Sequence, residues 1–481
     1  MRPTRTLVGS LVALLLLFPA GLQAQSKADQ IDALMKKYLE YGHFNGSLLV
    51  AENGRLLIKK GYGYANFEWE IPCAPDTKFR IGSITKQFTS MLIMRHVEKG
   101  EIGLDDPMTK YLPAYPKAQG DKVTVRHLLN HTSGIPSYTS IISIRSDRNA
   151  YTLDSLIAVF STKPLEFEPG TQFRYNNSGY VLLGAILEKV TGRTYEQLLR
   201  EELLEPLGMD DTGYDHAEPI IKRRAAGYER GGGVRNAEFL DMSVPYAAGA
   251  MYSTVEDLFR WDRALYTDKL LSEKAKAEYF KPGLSGYAFG WGIGTIKLGR
   301  SPDSVRTISH GGGINGFNTL ILRIPVQQHL IVLLNNTGSA PLNEIATAIA
   351  GILYDRPYAQ PRRSLATALG TAIAKSGVAE GVASFAELKE RNAEYYLNEA
   401  EMNNLGYSLM QGGNVKAAIE VFKLNVQEFP TSWNVYDSLG EAYMNDGQTA
   451  LAITNYEKSI QLNPGNTAGK QILERLKKAG K

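Results

Sequence analysis

Two of the residue types that nucleophilic acyl transfer requires occur together in the stretch 79–100. Ser83 and Lys86 form an S-x-x-K motif at the predicted start of a helix. A spacing of three places both side chains on one helix face, where the lysine can take the proton of a hydroxyl that is a weak nucleophile alone. The helix N-terminus adds free N–H groups and positive potential for a developing oxyanion. The alternative is a serine that only caps the helix, beside a solvated lysine.

A second motif, Y-x-N, consists of Tyr175, Asn176 and Asn177 and directly precedes an apolar helix pattern. A tyrosine held beside Lys86 would move protons between Ser83 and a leaving group. Asn177 would hydrogen-bond a substrate amide. The alternative is a packed tyrosine followed by a helix-capping asparagine, and the motif alone does not separate the two.

The stretch SHGGGINGFN at 309–318 fits three kinds of site. Gly311, Gly313 and Gly316 match the G-x-G-x-x-G dinucleotide pattern, but a strand pattern follows where that motif needs a helix. The H-G-G-G loop of lipases precedes a G-x-S-x-G turn, which this sequence lacks. The third possibility is a strand edge at which His310 and its glycines line an acyl-transfer cleft, and it requires a nucleophile elsewhere.

Taken together, these motifs resemble those of the penicillin-recognising serine hydrolases. This family comprises class C β-lactamases, low-molecular-weight D,D-peptidases and related esterases. The similarity covers roughly residues 30–355, in which the motifs occur in the order and rough spacing of the family. The motifs are Ser83-x-x-Lys86, Tyr175-x-Asn177 and His310-Gly311-Gly312, with further family-like stretches at 128–136, 247–261, 287–292 and 309–319.

The resemblance implies catalytic roles for the first two motifs. Ser83 would form the acyl-enzyme. Lys86 and Tyr175 would share general acid–base catalysis, and Asn177 would orient the substrate. The N–H groups of Ser83 and Gly313 would form the oxyanion hole.

The resemblance also implies that His310, Gly311 and Gly312 form the substrate-binding strand, where a side chain at a glycine would block pairing with the substrate. His310 stands where β-lactamases carry lysine, a permanent cation that holds the carboxylate of a β-lactam. Histidine is mostly neutral at pH 7. We therefore expect less efficient β-lactam hydrolysis, without excluding it.

The pattern of predicted elements indicates an α+β body. One sheet takes strands from both ends of the body, with helices inserted between them. The resemblance implies a β-lactamase/transpeptidase-like fold, in which an antiparallel sheet is flanked by helices and joined to a helical subdomain. The predicted elements are a hairpin at 46–66 that turns at Asn53-Gly54, helices at 83–99, 178–191 and 341–354, and strands at 319–325 and 329–336.

The C-terminal end contains a sequence repeat. Residues 405–430 align with 439–464 at an offset of 34, the period of tetratricopeptide helix–turn–helix units. Such units bury their apolar faces only by stacking on neighbours. We therefore predict that a helical segment at 378–402 stacks on the two repeats and that a helix at 468–478 closes an all-α module.

The N-terminus has the pattern of a secretory signal peptide. Arg2 and Arg5 precede an apolar run at 7–18 that is too short to span a bilayer, and Ala24 marks the predicted cleavage site. We expect a periplasmic or secreted protein without stable membrane insertion after cleavage. The predicted division is signal peptide 1–24, serine hydrolase domain 25–355, linker and helical segment 356–395, and tetratricopeptide module 396–481.

Composition and the other candidate residues argue against several further functions. The net charge is +3 over 481 residues, and without a dense basic stripe we expect no nucleic-acid partner. Cys73, the single cysteine, lies between two prolines without a basic neighbour and is predicted to be structural. His127 and His131 have the spacing of a zinc pair without its glutamate, so we predict neither a metal nor a cofactor.

We predict an exported serine hydrolase that acts through a Ser83 acyl-enzyme on an amide or ester, of the D,D-peptidase, D-aminopeptidase or esterase type. The alternatives are a true β-lactamase and a non-catalytic binding protein that uses the repeats. The three motifs together argue against the latter. Expected partners are a small-molecule or peptide substrate and a protein or peptide at the repeats. Tyr287 and Trp291 fit either the cleft or the core.

Overall fold

The longest β-strands form one antiparallel sheet in the body of the protein. The computed structural model describes residues 25–142, 148–230 and 233–479, and the predicted signal peptide at 1–24 lies outside them. In chain order the strands are β1 Gly46–Glu52, β2 Arg55–Tyr62, β3 Tyr64–Asn66, β4 Ile71–Pro72, β5 Phe79–Arg80, β6 Gly213–Tyr214, β7 Tyr228–Arg230, β8 Val234–Asn236, β9 Met251–Ser253, β10 Gly292–Lys297, β11 Ser304–Ile314, β12 Phe317–Ile324, β13 His329–Asn335, β14 Arg363–Ser364 and β15 Tyr395–Tyr396.

The strand order of the main sheet is β10–β11–β12–β13–β1–β2. β1 therefore pairs with β13 from the far end of the body as well as with its hairpin neighbour β2. The hairpin turns at Asn53 and Gly54, whose φ angles are 51° and 77°, as a two-residue hairpin turn requires. The predictions of this turn and of a sheet built from both ends of the body are confirmed.

Helices cover both faces of the sheet and extend into a helical subdomain. In chain order the helices of the body are α1 Lys27–Glu40, α2 Thr85–Glu98, α3 Lys117–Gly120, α4 Val125–Leu129, α5 Leu153–Ser161, α6 Asn177–Thr191, α7 Tyr195–Leu199, α8 Glu205–Leu207, α9 Tyr246–Gly249, α10 Val255–Ala264, α11 Glu273–Tyr279 and α12 Leu342–Leu353.

Alternation along the strands divides the hydrophobic residues between two cores. Leu48 and Val50 of β1 belong to the core formed with α1 and α12. Leu49 and Ala51 belong to the core formed with α2, α6 and α10. Because successive strand residues point to opposite faces, this alternation places one helical layer on each side of the sheet. The predicted α+β organisation is confirmed.

α2 lies in the middle of the second core. The residues from Thr85 to Met94 are buried on every side of the helix, which is typical of a helix enclosed by other elements. A 3₁₀ turn, Gly82–Ile84, leads directly into it. The core therefore holds Lys86, in the first turn of α2, while Ser83 lies in the turn at its edge and is only partly buried.

The turn that carries Ser83 lies against β11. A Cβ atom added to Gly312 would stand 1.9 Å from the carbonyl oxygen of Ile81, and the Thr319 hydroxyl of β12 donates to the same oxygen at 3.0 Å. The steric need for glycine at position 312 thus comes from the approach of this turn. β10 pairs with β11 only as far as Ser309, and no other described strand covers that side of residues 310–314.

The C-terminal module consists of stacked helices that repeat the same packing. Gly406 and Gly440 stand at equivalent positions, and an added Cβ atom would meet the rings of Phe422 and Tyr456 at 2.4 and 3.1 Å. The predicted helix pairs and the closing helix are confirmed. The helices are α13 Leu365–Ser376, α14 Val378–Ala383, α15 Phe385–Glu390, α16 Glu399–Gln411, α17 Val415–Glu428, α18 Trp433–Asn445, α19 Thr449–Leu462 and α20 Thr467–Ala479.

The segment before the repeats differs in detail from the prediction. The predicted helical stretch at 378–402 is divided into α14, α15, β15 and the start of α16. An additional helix, α13, occupies part of the predicted linker and shares a hydrophobic cluster with Met402. Its buried residues Leu365, Leu369 and Ile373 recur every four positions, a helical signal that the neighbouring charged linker obscures.

The contact between β11 and the turn of Ser83 makes Gly312 sensitive to the smallest added side chain. We expect Gly312→Ala to lower the free energy of unfolding by about 1–3 kcal/mol, because the strand or the turn must move. Gly313→Ala is the matched control, since its added Cβ atom has no neighbour within 4 Å. Urea unfolding of both variants tests this, and equal stabilities would contradict the proposed steric cause.

Candidate active site

Ser83 and Lys86 meet at the N-terminal end of α2. Lys86 Nζ lies 3.1 Å from Ser83 Oγ and also donates to Asn177 Oδ1 and the carbonyl oxygen of Ala248, each at 2.8 Å. The lysine is fully buried, and burial lowers its pKa well below the ordinary range. Buried in this way, the amine has a strong tendency to lose its charge.

The two carbonyl oxygens determine how a neutral amine at Lys86 is oriented. A neutral amine has two N–H bonds and one lone pair, and a carbonyl oxygen can only accept a hydrogen bond. The oxygens of Asn177 and Ala248 therefore take the two N–H bonds. The lone pair is left facing Ser83, whose hydroxyl is the only one of the three partners with a proton to give. This is the geometry of a general base acting on a serine nucleophile.

Asn177 is the first residue of α6, and its side-chain oxygen points to Lys86. The amide nitrogen Nδ2 is then the group directed away from the lysine. Asn177 also lines the cleft that contains Ser83. This orientation allows Nδ2 to donate to a carbonyl oxygen in the cleft.

Tyr175 lies beside both members of the S-x-x-K motif. Its ring centroid is 4.9 Å from Lys86 Nζ, and its hydroxyl is near enough to the Ser83 side chain to interact with it. Although 39% of the side chain is exposed, desolvation of the hydroxyl raises the pKa of Tyr175 above its ordinary range. The hydroxyl thus keeps its proton at neutral pH and can donate it within the cleft.

The residue between Tyr175 and Asn177 is held by a loop from another part of the chain. The Asn176 backbone N–H donates to His131 Nδ1 at 3.1 Å, and its side-chain nitrogen donates to the carbonyl oxygen of Ile135. Its side-chain oxygen accepts from the backbone N–H of Gly179 at 2.8 Å and caps α6. The stretch 128–136 therefore supports the Y-x-N segment, a contact that the sequence did not reveal.

The residues predicted for the oxyanion hole also approach one another. Gly82 is the residue before Ser83 in the chain. The backbone nitrogen of Gly313 lies 3.0 Å from the position that a Cβ atom on Gly82 would occupy, so β11 and the turn of Ser83 are in close contact. Both Ser83 and Gly313 line the cleft. The rest of its wall is largely apolar, with Leu240, Val244, Pro245 and Ile314 among the lining residues.

His310 lies on β11 with both ring nitrogens engaged. The Tyr287 hydroxyl is 2.8 Å from Nε2, and Nδ1 is 2.6 Å from the carbonyl oxygen of Gly311. Because that carbonyl can only accept, the proton of a neutral ring belongs on Nδ1 and the tyrosine donates to Nε2. Desolvation and, next, the charge of Lys86 lower the pKa of His310 to about 4. Its ring is thus neutral at pH 7.

Tyr287 and Trp291, which the sequence left between cleft and core, are both buried. Tyr287 nevertheless reaches the site through its hydroxyl, which bonds to His310. This bond and the carbonyl of Ala248 are two further site contacts that the motifs did not predict. The carbonyl belongs to the backbone and leaves no signal in residue type, although Ala248 and Tyr287 both lie in stretches that the family resemblance had marked.

The residues predicted to have no role in metal or nucleophilic chemistry are engaged elsewhere. Cys73 is buried, which raises its thiol pKa. His127 Nδ1 accepts from the backbone N–H of Thr124 at the start of α4. Within 25–142, 148–230 and 233–479, no group of three or more His, Cys, Asp or Glu residues is placed to hold a metal ion.

This fold and site define a serine hydrolase of the β-lactamase type. The family described as Beta-lactamase matches residues 31–354, and the chain belongs to that family. A tetratricopeptide repeat matches residues 434–466. The β-lactamase/transpeptidase-like fold that the sequence resemblance implied is therefore confirmed.

Similar proteins include penicillin-binding and amidase types. Penicillin-binding protein 4* of Bacillus subtilis (strain 168) is 32% identical over 364 residues, which are 70% of this chain and 79% of that protein. Protein flp of Staphylococcus aureus (strain COL) is 31% identical over 64% of this chain, and the match spans only 63% of flp. The structure of D-amino acid amidase from Ochrobactrum anthropi SV3, complexed with L-phenylalanine amide, has a TM-score of 0.61 and 28% sequence identity to this chain. The match covers 68% of this chain and 99% of the amidase chain.

The low pKa of His310 makes the protein less stable in acid. The unfolded chain binds a proton near pH 6.5, whereas the folded chain resists it down to about pH 4. The free energy of unfolding therefore falls as the pH drops through this window, by up to about 3 kcal/mol from this group. We expect His310→Asn to lose that part of the dependence. Urea unfolding between pH 4 and pH 7.5 checks this, and parallel curves for the two proteins would contradict it.

Proposed function

We propose that this β-lactamase-family hydrolase cleaves an amide or ester through an acyl-enzyme on Ser83. The observation that carries the proposal is the buried Lys86, whose three hydrogen-bond partners are Ser83 Oγ and two carbonyl oxygens. A solvated lysine beside a helix-capping serine would have no such environment. The geometry thus favours the catalytic interpretation of S-x-x-K.

The proposed reaction has two halves. Lys86 takes the proton of Ser83 while Oγ attacks the substrate carbonyl, and the N–H groups of Ser83 and Gly313 stabilise the oxyanion. One such donor is typically worth about 3–4 kcal/mol in the transition state. Tyr175 then donates a proton to the leaving group as the acyl-enzyme forms, and the proton that Lys86 took from Ser83 passes to Tyr175, which restores the neutral amine. In the second half a water molecule gives a proton to Lys86 and attacks the ester, and Lys86 returns that proton to Ser83 Oγ as the acid product leaves.

The substrate class that we propose is an amide or ester with an apolar substituent and no carboxylate beside the scissile bond. Apolar side chains form much of the cleft wall, and His310 offers a neutral ring where a β-lactamase has a cation. Both features favour D-aminopeptidase- or esterase-type substrates over β-lactams. The similarity to an amidase complexed with L-phenylalanine amide supports the same choice, and D-amino acid amides are the first substrates to examine.

We further propose that the protein is exported. We also propose that it is divided into three parts after the signal peptide: a hydrolase domain at 25–355, a linker and helical segment at 356–395, and a repeat module at 396–481. The matched family range of 31–354 supports the first boundary. The signal-peptide pattern of 1–24 supports export to the periplasm or the exterior. No helix among the described residues is long and apolar enough to cross a membrane.

The repeat module supports a second proposal, that a protein or peptide binds there. Tetratricopeptide units form extended surfaces that commonly serve binding. This function adds to catalysis here. A purely binding protein would not need a lysine buried against its serine.

Covalent labelling tests the proposed nucleophile. A fluorescent fluorophosphonate is expected to label the protein, and Ser83→Ala is expected to abolish labelling because the attacking oxygen is lost. Ser155→Ala, on the exposed face of α5, is the control and should label normally. A fluorescent penicillin should label much more slowly. Absence of fluorophosphonate labelling in the unaltered protein, or labelling that persists in Ser83→Ala, would overturn the proposal.

The charge state of Lys86 gives an independent test. In Asn177→Asp a carboxylate would stand about where the amide oxygen accepts from Lys86, and it would favour the charged ammonium. We expect kcat for a p-nitrophenyl ester at pH 7 to fall about 100-fold or more, with partial recovery at alkaline pH.

Asn177→Ala is the matched variant for this test, because it removes the amide without adding a charge. We expect it to be slower than the unaltered enzyme but to keep the same pH profile. If both variants keep the original pH profile, Lys86 is not the base.

A further inference from the structure

His131 holds the segment that carries Tyr175 from both sides. Its carbonyl oxygen accepts from the backbone N–H of Arg174 at 2.9 Å. Its ring nitrogen Nδ1 accepts from the backbone N–H of Asn176 at 3.1 Å. The residues directly before and after Tyr175 are therefore both bonded to this one histidine.

The ring of His131 also supports the walls of the site. Its centroid lies 4.4 Å from that of Tyr175 and 4.5 Å from that of Tyr287. Tyr287 in turn donates to His310. His131 is thus packed between the tyrosine that contacts Ser83 and the tyrosine that orients His310.

Simple core packing does not account for an imidazole at this position. The ring is 1% exposed, and its Nε2 atom has no hydrogen-bond partner within the described residues. The backbone of His131 has φ of 60°, a left-handed conformation that is uncommon for residues other than glycine. What the imidazole provides here, and a hydrocarbon ring cannot, is the Nδ1 lone pair that accepts from Asn176.

We propose that His131 is a positioning residue that aligns Tyr175 for proton transfer through the hydrogen bond from the Asn176 N–H to its Nδ1. This inference rests on the proposed function, in which Tyr175 donates a proton to the leaving group. His131 itself does not touch the substrate. Without the Nδ1 acceptor, the N–H of Asn176 is left unsatisfied, and the segment 174–177 must shift to satisfy it.

Two variants separate the acceptor from the ring. His131→Phe keeps a ring of similar size and removes the acceptor. His131→Asn keeps an acceptor on a short side chain, and asparagine tolerates positive φ. A structural role alone predicts that the better-packed Phe variant is the more active, whereas the positioning role predicts that the Asn variant is.

The readouts are the rate of Ser83 labelling by a fluorophosphonate and the hydrolysis of p-nitrophenyl butyrate and ethyl butyrate. We expect His131→Phe to hydrolyse ethyl butyrate at least 10-fold more slowly and His131→Asn to stay within about threefold of the unaltered enzyme. Fluorophosphonate labelling should change less, because fluoride leaves without protonation. KM should change less than twofold in either. The loss of kcat in His131→Phe should be larger for ethyl butyrate, because p-nitrophenolate leaves without protonation and ethoxide does not.

Phe173→Leu is the control for lost packing, since Phe173 also contacts the His131 ring, at 6.0 Å, without hydrogen-bonding to it. It should hydrolyse ethyl butyrate within about threefold of the unaltered rate. Circular dichroism and thermal unfolding verify that every variant is folded at the assay temperature.

Three results would overturn the inference: normal hydrolysis of ethyl butyrate by folded His131→Phe, lower activity of His131→Asn than of His131→Phe, or equal losses for the two esters. Failure of the proposed function itself looks different. In that case the unaltered protein is not labelled at Ser83 at all. Labelling of the unaltered protein, together with any of the three results, contradicts only the role of His131.

Discussion

The burial of one amine organises the site of this hydrolase. Lys86 lies inside the core, and each of its three partners comes from a different element: the turn before α2, the start of α6 and the carbonyl of Ala248 in α9. An amine in this environment tolerates only carbonyl oxygens and the serine hydroxyl around it. The chain must therefore bring three distant segments to one point with their backbones correctly oriented.

The electrostatics of the cleft follow from the same constraint. Desolvation, and next the neighbouring Lys86, keeps His310 neutral. The carbonyl oxygen of Gly311 fixes which nitrogen of His310 carries the proton. The site therefore places a buried amine and a tyrosine close to Ser83, with a neutral histidine on the neighbouring strand β11.

The sequence was sufficient to predict the main features of the fold and the residues that meet in the site. Ser83, Lys86, Tyr175 and Asn177 carry their chemistry in their side chains, so short motifs reveal them, and the 34-residue repeat reveals the C-terminal module. The sequence could not reveal the carbonyl of Ala248, because any residue type supplies a carbonyl. Nor could it reveal long-range contacts such as that of Asn176 with the loop at 131–135, since the two are joined only by folding.

The segment that leads into the repeats is attached on one face of the main sheet. Arg363, in the linker before the repeats, donates to Glu40 at the end of α1 and lies over the ring of Tyr41. α1 belongs to the layer on one face of the sheet, and α2 belongs to the layer on the other. The linker is therefore anchored on the face of the sheet opposite the α2 layer.

The buried Lys86 also has a consequence for how such a sequence can change over time. A long polar side chain enclosed in a core lowers folding stability relative to an apolar residue of similar volume such as methionine. Selection for folding stability alone would therefore favour an apolar residue at position 86. The buried lysine therefore costs the protein folding stability, and this cost points to selection for the hydrolase function.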